Sequence, residues 1–87
     1  MNESLPVPPG QVVIDEIGLM PTVDGLRAEF PSLSKSTVWR WAQPKHAGGT
    51  DGIVPSRYHR PLLLLSRRLG KTLTPDDLIF GRKAVLQ

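Results

Sequence analysis

The sequence predicts an all-α protein: a compact bundle of about five short helices with an extended, proline-rich N-terminal arm. Three observations support this prediction. Apolar residues recur at helical spacing in several short segments, and strand-like alternation is confined to the last few residues. Nine prolines and eight glycines divide the 87-residue chain into short elements. Cysteine is absent, which excludes disulfides and thiolate zinc sites as sources of stability.

The chain is long enough for one small domain. Residues 1–9 are expected to form the arm, because the prolines there fix φ and cannot donate to a helix. Residues 10–81 are the folded domain, and residues 82–87 are a C-terminal tail.

The first two helices are defined by their end signals. The first runs from about Pro9 to Ile17, where apolar residues have helical spacing, and Gly18 ends it. The second begins near Thr22, whose hydroxyl can cap it, and carries a leucine and a phenylalanine four residues apart. Pro31 stops this second helix.

A turn of about four residues leads to the third helix. Either Ser34 or Ser36 can cap this helix, and Val38 and Trp41 form its apolar pair. The polar, glycine-rich segment 44–54 is predicted to be a mobile loop.

The last two helices carry stronger signals. Leucines three and four residues apart mark a fourth helix that opens at Pro55 or just after it and ends at Gly70. Pro61 either kinks this helix or defines its true first turn. Thr74, followed by a proline and two acidic residues, begins a short fifth helix that ends at Gly81.

Positive charge is concentrated in the middle of the chain. The net charge is +3, but the segment from Lys35 to Lys71 contains eight basic residues and one acidic residue, Asp51. This asymmetry favours a polyanionic partner, most simply nucleic acid. A solvated basic face is the alternative interpretation.

Several classes of protein are disfavoured. The longest purely apolar run, Leu62 to Leu65, is far too short to span a bilayer, and the N-terminus lacks the features of a signal peptide, so a cytoplasmic protein is expected. His46 and His59 lack ligand partners at metal spacing, and neither a phosphate-binding loop nor a nucleophile elbow occurs. We therefore expect no enzyme activity, no cofactor and no metal.

Residues 26–41 have the sequence LRAEFPSLSKSTVWRW. In this segment apolar residues lie on both sides of a turn, and small polar residues begin the helix that follows it. This segment resembles the helix-turn-helix of Cro-type and lambda-repressor-like regulators. Residues 53–69 and 73–79 look like the closing helices of these small repressors, so the resemblance covers about residues 11–81. Where these families usually have a glycine in the turn, this chain has Pro31 and Ser32, which leaves the register of the recognition helix open.

The resemblance implies a sequence-specific repressor of transcription that occupies a palindromic double-stranded DNA operator as a homodimer. The arm and the last residues are also similar in character to the KorC-like repressors, so a plasmid- or phage-borne protein is expected. By the same resemblance, Ala28 would pack against the recognition helix, and Leu33, Val38 and Trp41 would face the core. The implied base-reading residues are Lys35, Ser36, Thr37, Trp39 and Arg40.

The chemistry of these side chains suits base edges. Arg40 can make a bidentate contact with guanine, and Lys35 can do the same or hold a phosphate. Ser36 and Thr37 can donate to a base or a phosphate, or serve only as helix caps. Trp39 either packs on sugar and thymine or fills a gap beside the core tryptophan.

Two further groups complete the expected interface. The candidates for contact with the DNA backbone are Ser34, Lys45, His46, Arg57, Tyr58 and Arg60. The candidates for dimer contact are Leu78, Ile79, Phe80, Val85 and Leu86. Ordinary surface charge is the alternative for the arginines of the first group, and it is the expected role of Arg67 and Arg68.

Two other functions are compatible with the sequence. A small protein-interaction adaptor could dock through its tryptophans and its leucine-rich helix. An accessory protein could bind DNA without sequence preference. Steep salt dependence would distinguish binding to phosphates from apolar docking.

Overall fold

The computed structural model describes residues 6–83, with side chains described for residues 7–82. The elements in chain order are β1 (Pro6–Val7), α1 (Pro9–Glu16), α2 (Leu19–Leu26), α3 (Lys35–Arg40), α4 (His59–Arg68), α5 (Pro75–Phe80) and β2 (Arg82–Lys83). Two 3₁₀ turns, Lys45–Ala47 and Ser56–Tyr58, lie between α3 and α4. The five α-helices around one core confirm the predicted all-α bundle.

The core draws side chains from every α-helix and from the segments between them. Its buried apolar members are Val12, Val13, Ile17, Val23, Leu26, Leu33, Val38, Trp41, Val54, Tyr58, Leu62, Leu65, Leu73 and Leu78. At its centre the ring of Tyr58 lies 4.7 Å from that of Phe30 and 4.9 Å from that of Trp41, measured between centroids. These tilted pairs join the α2–α3 linker, the end of α3 and the turn before α4.

Helix α1 matches its prediction and packs very closely on α3. Pro9 occupies its first turn, where a missing N–H is tolerated, and Gly18 follows its end with φ of +103°. The N–H of Gly10 donates to the Gly52 carbonyl at 2.8 Å. A Cβ at Gly10 would lie 2.0 Å from the carbonyl oxygen of Trp41, so only glycine allows this approach.

The predicted bounds of the second helix are wrong at both ends. Helix α2 begins at Leu19, so Pro21 lies within its first turn. Thr22 is buried and does not cap the helix, because its hydroxyl donates to the Gly18 carbonyl at 2.6 Å. The helix ends at Leu26, well before Pro31.

The linker between α2 and α3 is longer than the predicted four-residue turn. It spans residues 27–34, and an irregular turn at its start is closed by the N–H of Phe30 donating to the Leu26 carbonyl at 2.8 Å. Ala28 is exposed in this linker and does not pack against α3. The tight helix contact falls instead at Gly25, where a Cβ would lie 2.4 Å from Cδ1 of Leu65 on α4.

The segment 44–54 is a loop, as predicted, and it contains a 3₁₀ turn at Lys45–Ala47 and hydrogen bonds to the end of α3. The N–H of Thr50 donates to the Arg40 carbonyl at 3.0 Å, and that of Asp51 donates to the Gln43 carbonyl at 2.8 Å. Asp51 has a φ of +65°, a conformation that aspartate tolerates better than most residues. These hydrogen bonds connect the loop to the C-terminal end of α3.

Helix α4 begins at His59, later than the predicted start near Pro55, because a 3₁₀ turn at Ser56–Tyr58 precedes it, whereas α5 starts as its sequence signals indicate. Pro61 lies in the first turn of α4, which settles the two alternatives in favour of a true first turn. Thr74 and Asp77 form a reciprocal capping box at the start of α5. The Asp77 N–H donates to the Thr74 hydroxyl at 3.2 Å, and the Thr74 N–H donates to the Asp77 carboxylate at 2.9 Å.

The two ends of the described chain pair with each other. Strands β1 and β2 are antiparallel, with Pro6 opposite Lys83 and Val7 opposite Arg82. Residues 6–8 of the predicted arm are thus extended, as expected, but Pro9 belongs to α1, and the strand of the arm is paired with the predicted tail. The remainder of both segments, residues 1–5 and 84–87, lies outside the described residues.

Arg82 joins β2 to α1 and α5 through two ion pairs. Its guanidinium lies 3.0 Å from the Glu16 carboxylate and 2.6 Å from that of Asp77. The hydrogen bond from Arg82, with help from the Thr72 N–H, lowers the pKa of Glu16 below its ordinary value. Burial raises the pKa of Asp77, but the hydrogen bonds from Arg82 and Thr74 outweigh it, and the net shift is downward.

The ion pairs of Arg82 predict a pH-dependent contribution to stability. Because both carboxyl pKa values are lowered in the folded state, the contribution is fully present above the unfolded-state values near 4 and is lost as pH falls through the folded values. Arg82→Met should lower the free energy of unfolding by about 1 kcal/mol at pH 7. The difference from the wild type should vanish toward pH 2, as measured by urea unfolding across this range.

Arg68→Met is the matched control, because Arg68 is exposed and makes no ion pair among the described side chains. Its effect should be small and nearly independent of pH. A constant difference between Arg82→Met and the wild type from pH 7 to pH 2 would contradict the assigned ion pairs.

Candidate nucleic-acid interface

Helix α3 begins with a side-chain cap that resolves one of the sequence alternatives. The Ser34 hydroxyl accepts a hydrogen bond from the Thr37 N–H at 3.3 Å and lies 3.1 Å from the Thr37 hydroxyl. Ser34 is therefore the N-cap, and Ser36 is exposed on the first turn without a capping role. Thr37 is half-buried, and its hydroxyl is already engaged with Ser34.

The two sides of α3 have opposite character. Val38 and Trp41 are 0% and 1% exposed, and with Leu33 they face the core as the sequence predicted. The exposed residues of the helix are Lys35, Ser36, Trp39 and Arg40. Four of the five predicted base-reading residues are therefore exposed together on one short helix, and Thr37 is the half-buried exception.

Trp39 lies at the surface and does not fill a gap in the core. It is 44% exposed, although Trp41, two residues later, is fully buried. Together with Leu19, Lys35 and Ser36 it lines a shallow surface pocket between α2 and α3. The second sequence alternative for Trp39, packing beside Trp41 in the core, is thus excluded.

The basic candidates around α3 are exposed as expected. Lys45 and His46 lie on the 3₁₀ turn that follows α3. Arg57 lies in the 3₁₀ turn before α4, and Arg60 lies in the first turn of α4. The Arg57 guanidinium lies over a face of the Tyr58 ring, 5.1 Å from its centroid, so this arginine is partly positioned by the core.

The prediction that Tyr58 contacts the DNA backbone is wrong. Its side chain is 6% exposed and packs between Phe30 and Trp41 in the core. The spacing of Tyr58 in the sequence could have indicated its burial, because Val54 and Leu62, four residues to either side, are also apolar and buried. A tyrosine in such a series is more simply read as a core aromatic.

The dimer candidates divide into three groups. Leu78 is 2% exposed and belongs to the core of its own chain, so its assignment to a dimer contact is wrong. Ile79 and Phe80 are 58% and 74% exposed at the end of α5. Val85 and Leu86 lie outside the described residues.

The basic residues of this surface have no acidic partner in the described part of the chain. Both salt bridges found among side chains 7–82 are made by Arg82, on the element that closes the fold. The exposed cations from α3 to α4 thus remain available to an external anion.

Other site types find no support within the described residues. Histidine, aspartate and glutamate do not form a group of three that could hold a metal ion. The ring of His59 is used locally, because its Nε2 donates to the Val54 carbonyl at 2.8 Å. No helix in this part of the chain has the length and apolar character needed to cross a membrane.

Sequence reasoning missed two features that depend on contacts between distant segments. Leu19 was not a candidate for any site, yet it forms one wall of the pocket beside Trp39. The ion pairs that Arg82 makes with Glu16 and Asp77 were also missed. Arg82 and Glu16 are 66 residues apart in the sequence, so no local pattern indicated that pair.

The capping geometry predicts different effects for two serines on the same turn. Ser34→Ala should lower the free energy of unfolding by about 1 kcal/mol, because the Thr37 N–H loses its acceptor. Ser36→Ala is the matched control and should change it by less than about 0.5 kcal/mol. Urea unfolding followed by tryptophan fluorescence measures both. Equal effects of the two substitutions would contradict the assignment of Ser34 as the cap.

Comparison with known proteins gives no match. No family model matches the chain, and no curated protein and no solved structure matches it either.

Proposed function

We propose that this protein is a sequence-specific, double-stranded DNA-binding repressor of transcription that acts in the cytoplasm as a homodimer on a palindromic operator. The observation that carries the proposal is the outward face of α3. Lys35, Ser36 and Arg40 are exposed there, while Val38 and Trp41 anchor the opposite side in the core. A short helix with a fixed back and a polar, basic front suits the major groove of DNA.

The side chains on this face can read base edges. The Arg40 guanidinium can donate two hydrogen bonds to O6 and N7 of a guanine, and Lys35 can approach the same atoms or a phosphate. The Ser36 hydroxyl, free of a capping role, can donate to or accept from a base. The methyl group of Thr37 can contact a thymine methyl even though its hydroxyl is held by Ser34.

The basic residues beside α3 would position the domain on the DNA backbone. Lys45, His46, Arg57 and Arg60 are exposed and have no acidic partner among the described side chains. Contacts of this kind set the register of a protein on DNA without reading sequence. Each neutralised phosphate steepens the logarithmic salt dependence of binding by about 0.9.

Repression would follow from occupancy of promoter DNA. One domain of this size reads only a few base pairs, so a two-fold dimer with half-sites about one helical turn apart supplies the remaining specificity. Exposed Ile79 and Phe80 at the end of α5 are the described candidates for this contact.

A protein-interaction adaptor is the second candidate function. The exposed aromatic ring of Trp39 and the exposed Leu64 on α4 favour it, because such side chains commonly anchor protein partners. A third possibility, DNA binding without sequence preference, would use the same basic surface. Salt dependence and sequence selection separate the three.

Selection from random duplex DNA at low and near-physiological salt tests the proposal. We expect enrichment of an inverted repeat, with binding that weakens steeply as salt rises. Salt-sensitive binding without enrichment would indicate a non-specific DNA-binding protein. Absence of binding at both salt concentrations would favour the adaptor.

Two arginines should have different effects on the selected operator. Arg40→Ala should cost about 1 to 3 kcal/mol and relax the preference at one position of each half-site. Arg57→Ala should weaken all sequences about equally and reduce the salt slope by about 0.9 per protomer. Arg68→Ala, the control, should change neither quantity. An Arg40→Ala protein with unchanged affinity and preference would show that α3 does not read this base.

The oligomeric state can be tested at the end of α5. Phe80→Ser should weaken the dimer at micromolar concentration, because it removes the most exposed large apolar side chain of this surface. Leu64→Ser is a control at another exposed apolar position and should leave the dimer intact. Sedimentation with and without operator DNA measures both. A wild-type protein that is monomeric under both conditions would contradict the dimer.

A further inference from the structure

The pocket beside Trp39 is a concave feature on the outward side of α3. It has a volume of about 320 Å³ and is lined by Leu19, at the start of α2, and by Lys35, Ser36 and Trp39 of α3. Lys35 and Trp39 are four residues apart and therefore lie on the same face of the helix. The pocket thus belongs to the face that we propose contacts DNA.

The lining combines apolar walls with polar neighbours. Leu19 and Trp39 supply the walls, and Lys35 and Ser36 supply an ammonium and a hydroxyl. Trp39 is 44% exposed, so a large part of its ring remains available for contact. Trp39 is the one exposed apolar residue of α3, since the other exposed residues of this helix are polar or basic.

One base edge matches this combination. In the major groove thymine presents a methyl group next to the O4 acceptor, and none of the other three bases carries a methyl group there. The walls formed by Leu19 and Trp39 can receive the methyl group. The Lys35 ammonium or the Ser36 hydroxyl can then donate to O4 of the same base.

We propose that this pocket receives the 5-methyl group of a thymine, and that Trp39 and Leu19 thereby determine a thymine preference in each half-site. This inference rests on the proposed DNA-binding function and assigns to the pocket a role that the basic residues cannot perform. A charged side chain can discriminate guanine or hold a phosphate, but a favourable contact with the methyl group requires an apolar surface.

Replacement of thymine by deoxyuridine tests the inference, because it removes the methyl group and keeps O4. Each thymine of the selected operator is replaced in turn, and Kd is measured by fluorescence anisotropy at constant salt. We expect one position at which deoxyuridine weakens binding about fourfold per half-site, the factor expected for one buried methyl group. In Trp39→Ala the same replacement should have no further effect.

Leu19→Ala provides a second variant in case Trp39→Ala is unstable, and thermal unfolding shows that each variant is folded. It should reduce the deoxyuridine effect at the same position. Leu64→Ala, an exposed leucine outside the pocket, should leave that effect unchanged.

Three outcomes would overturn the inference. If every deoxyuridine replacement is neutral on an operator that binds specifically, the pocket does not read thymine and the proposed function stands. If Trp39→Ala weakens the thymine and deoxyuridine operators equally, the ring packs on sugar or phosphate instead. If selection yields no preferred sequence, the proposed function fails and the inference fails with it.

Discussion

The contacts around Trp41 fix the position of α3. Its side chain is 1% exposed and packs against the ring of Tyr58, and its carbonyl accepts a hydrogen bond from the Thr50 hydroxyl at 3.3 Å. The backbone of Gly10 approaches the same carbonyl so closely that any side chain at this position would collide with it. Helix α1, the loop after α3 and the turn before α4 therefore meet at one residue. Because closely packed protein interiors resist small displacements, the outward face of α3 has a defined orientation.

The elements that could be predicted from the sequence are those with local causes. The capping box at Thr74 depends on side chains three residues apart, and the sequence pattern identified its helix correctly. The second helix was misplaced because Pro21 and Thr22 are also consistent with a helix start. Its true position depends on the close packing of Gly25 against Leu65, a contact between segments that no local pattern contains.

The candidate interface shows the same division. Helical spacing was enough to predict that Val38 and Trp41 face inward and that Lys35 and Arg40 do not. Tyr58 was grouped with the basic residues at the ends of the glycine-rich loop, which the family resemblance brings beside the DNA backbone, whereas aromatic packing buries its ring. The pocket at Trp39 could not be predicted at all, since one of its walls comes from the preceding helix.

The antiparallel pairing of β1 with β2 brings the two ends of the described chain together. Pro6 lies opposite Lys83, so the polypeptide enters and leaves the domain at one point. Domains with adjacent ends can be inserted into a surface loop of another protein without stretching either partner. This domain could accordingly be inserted into a surface loop of a larger host protein. Because its two ends are adjacent, the two sides of that loop would need to be only a short distance apart.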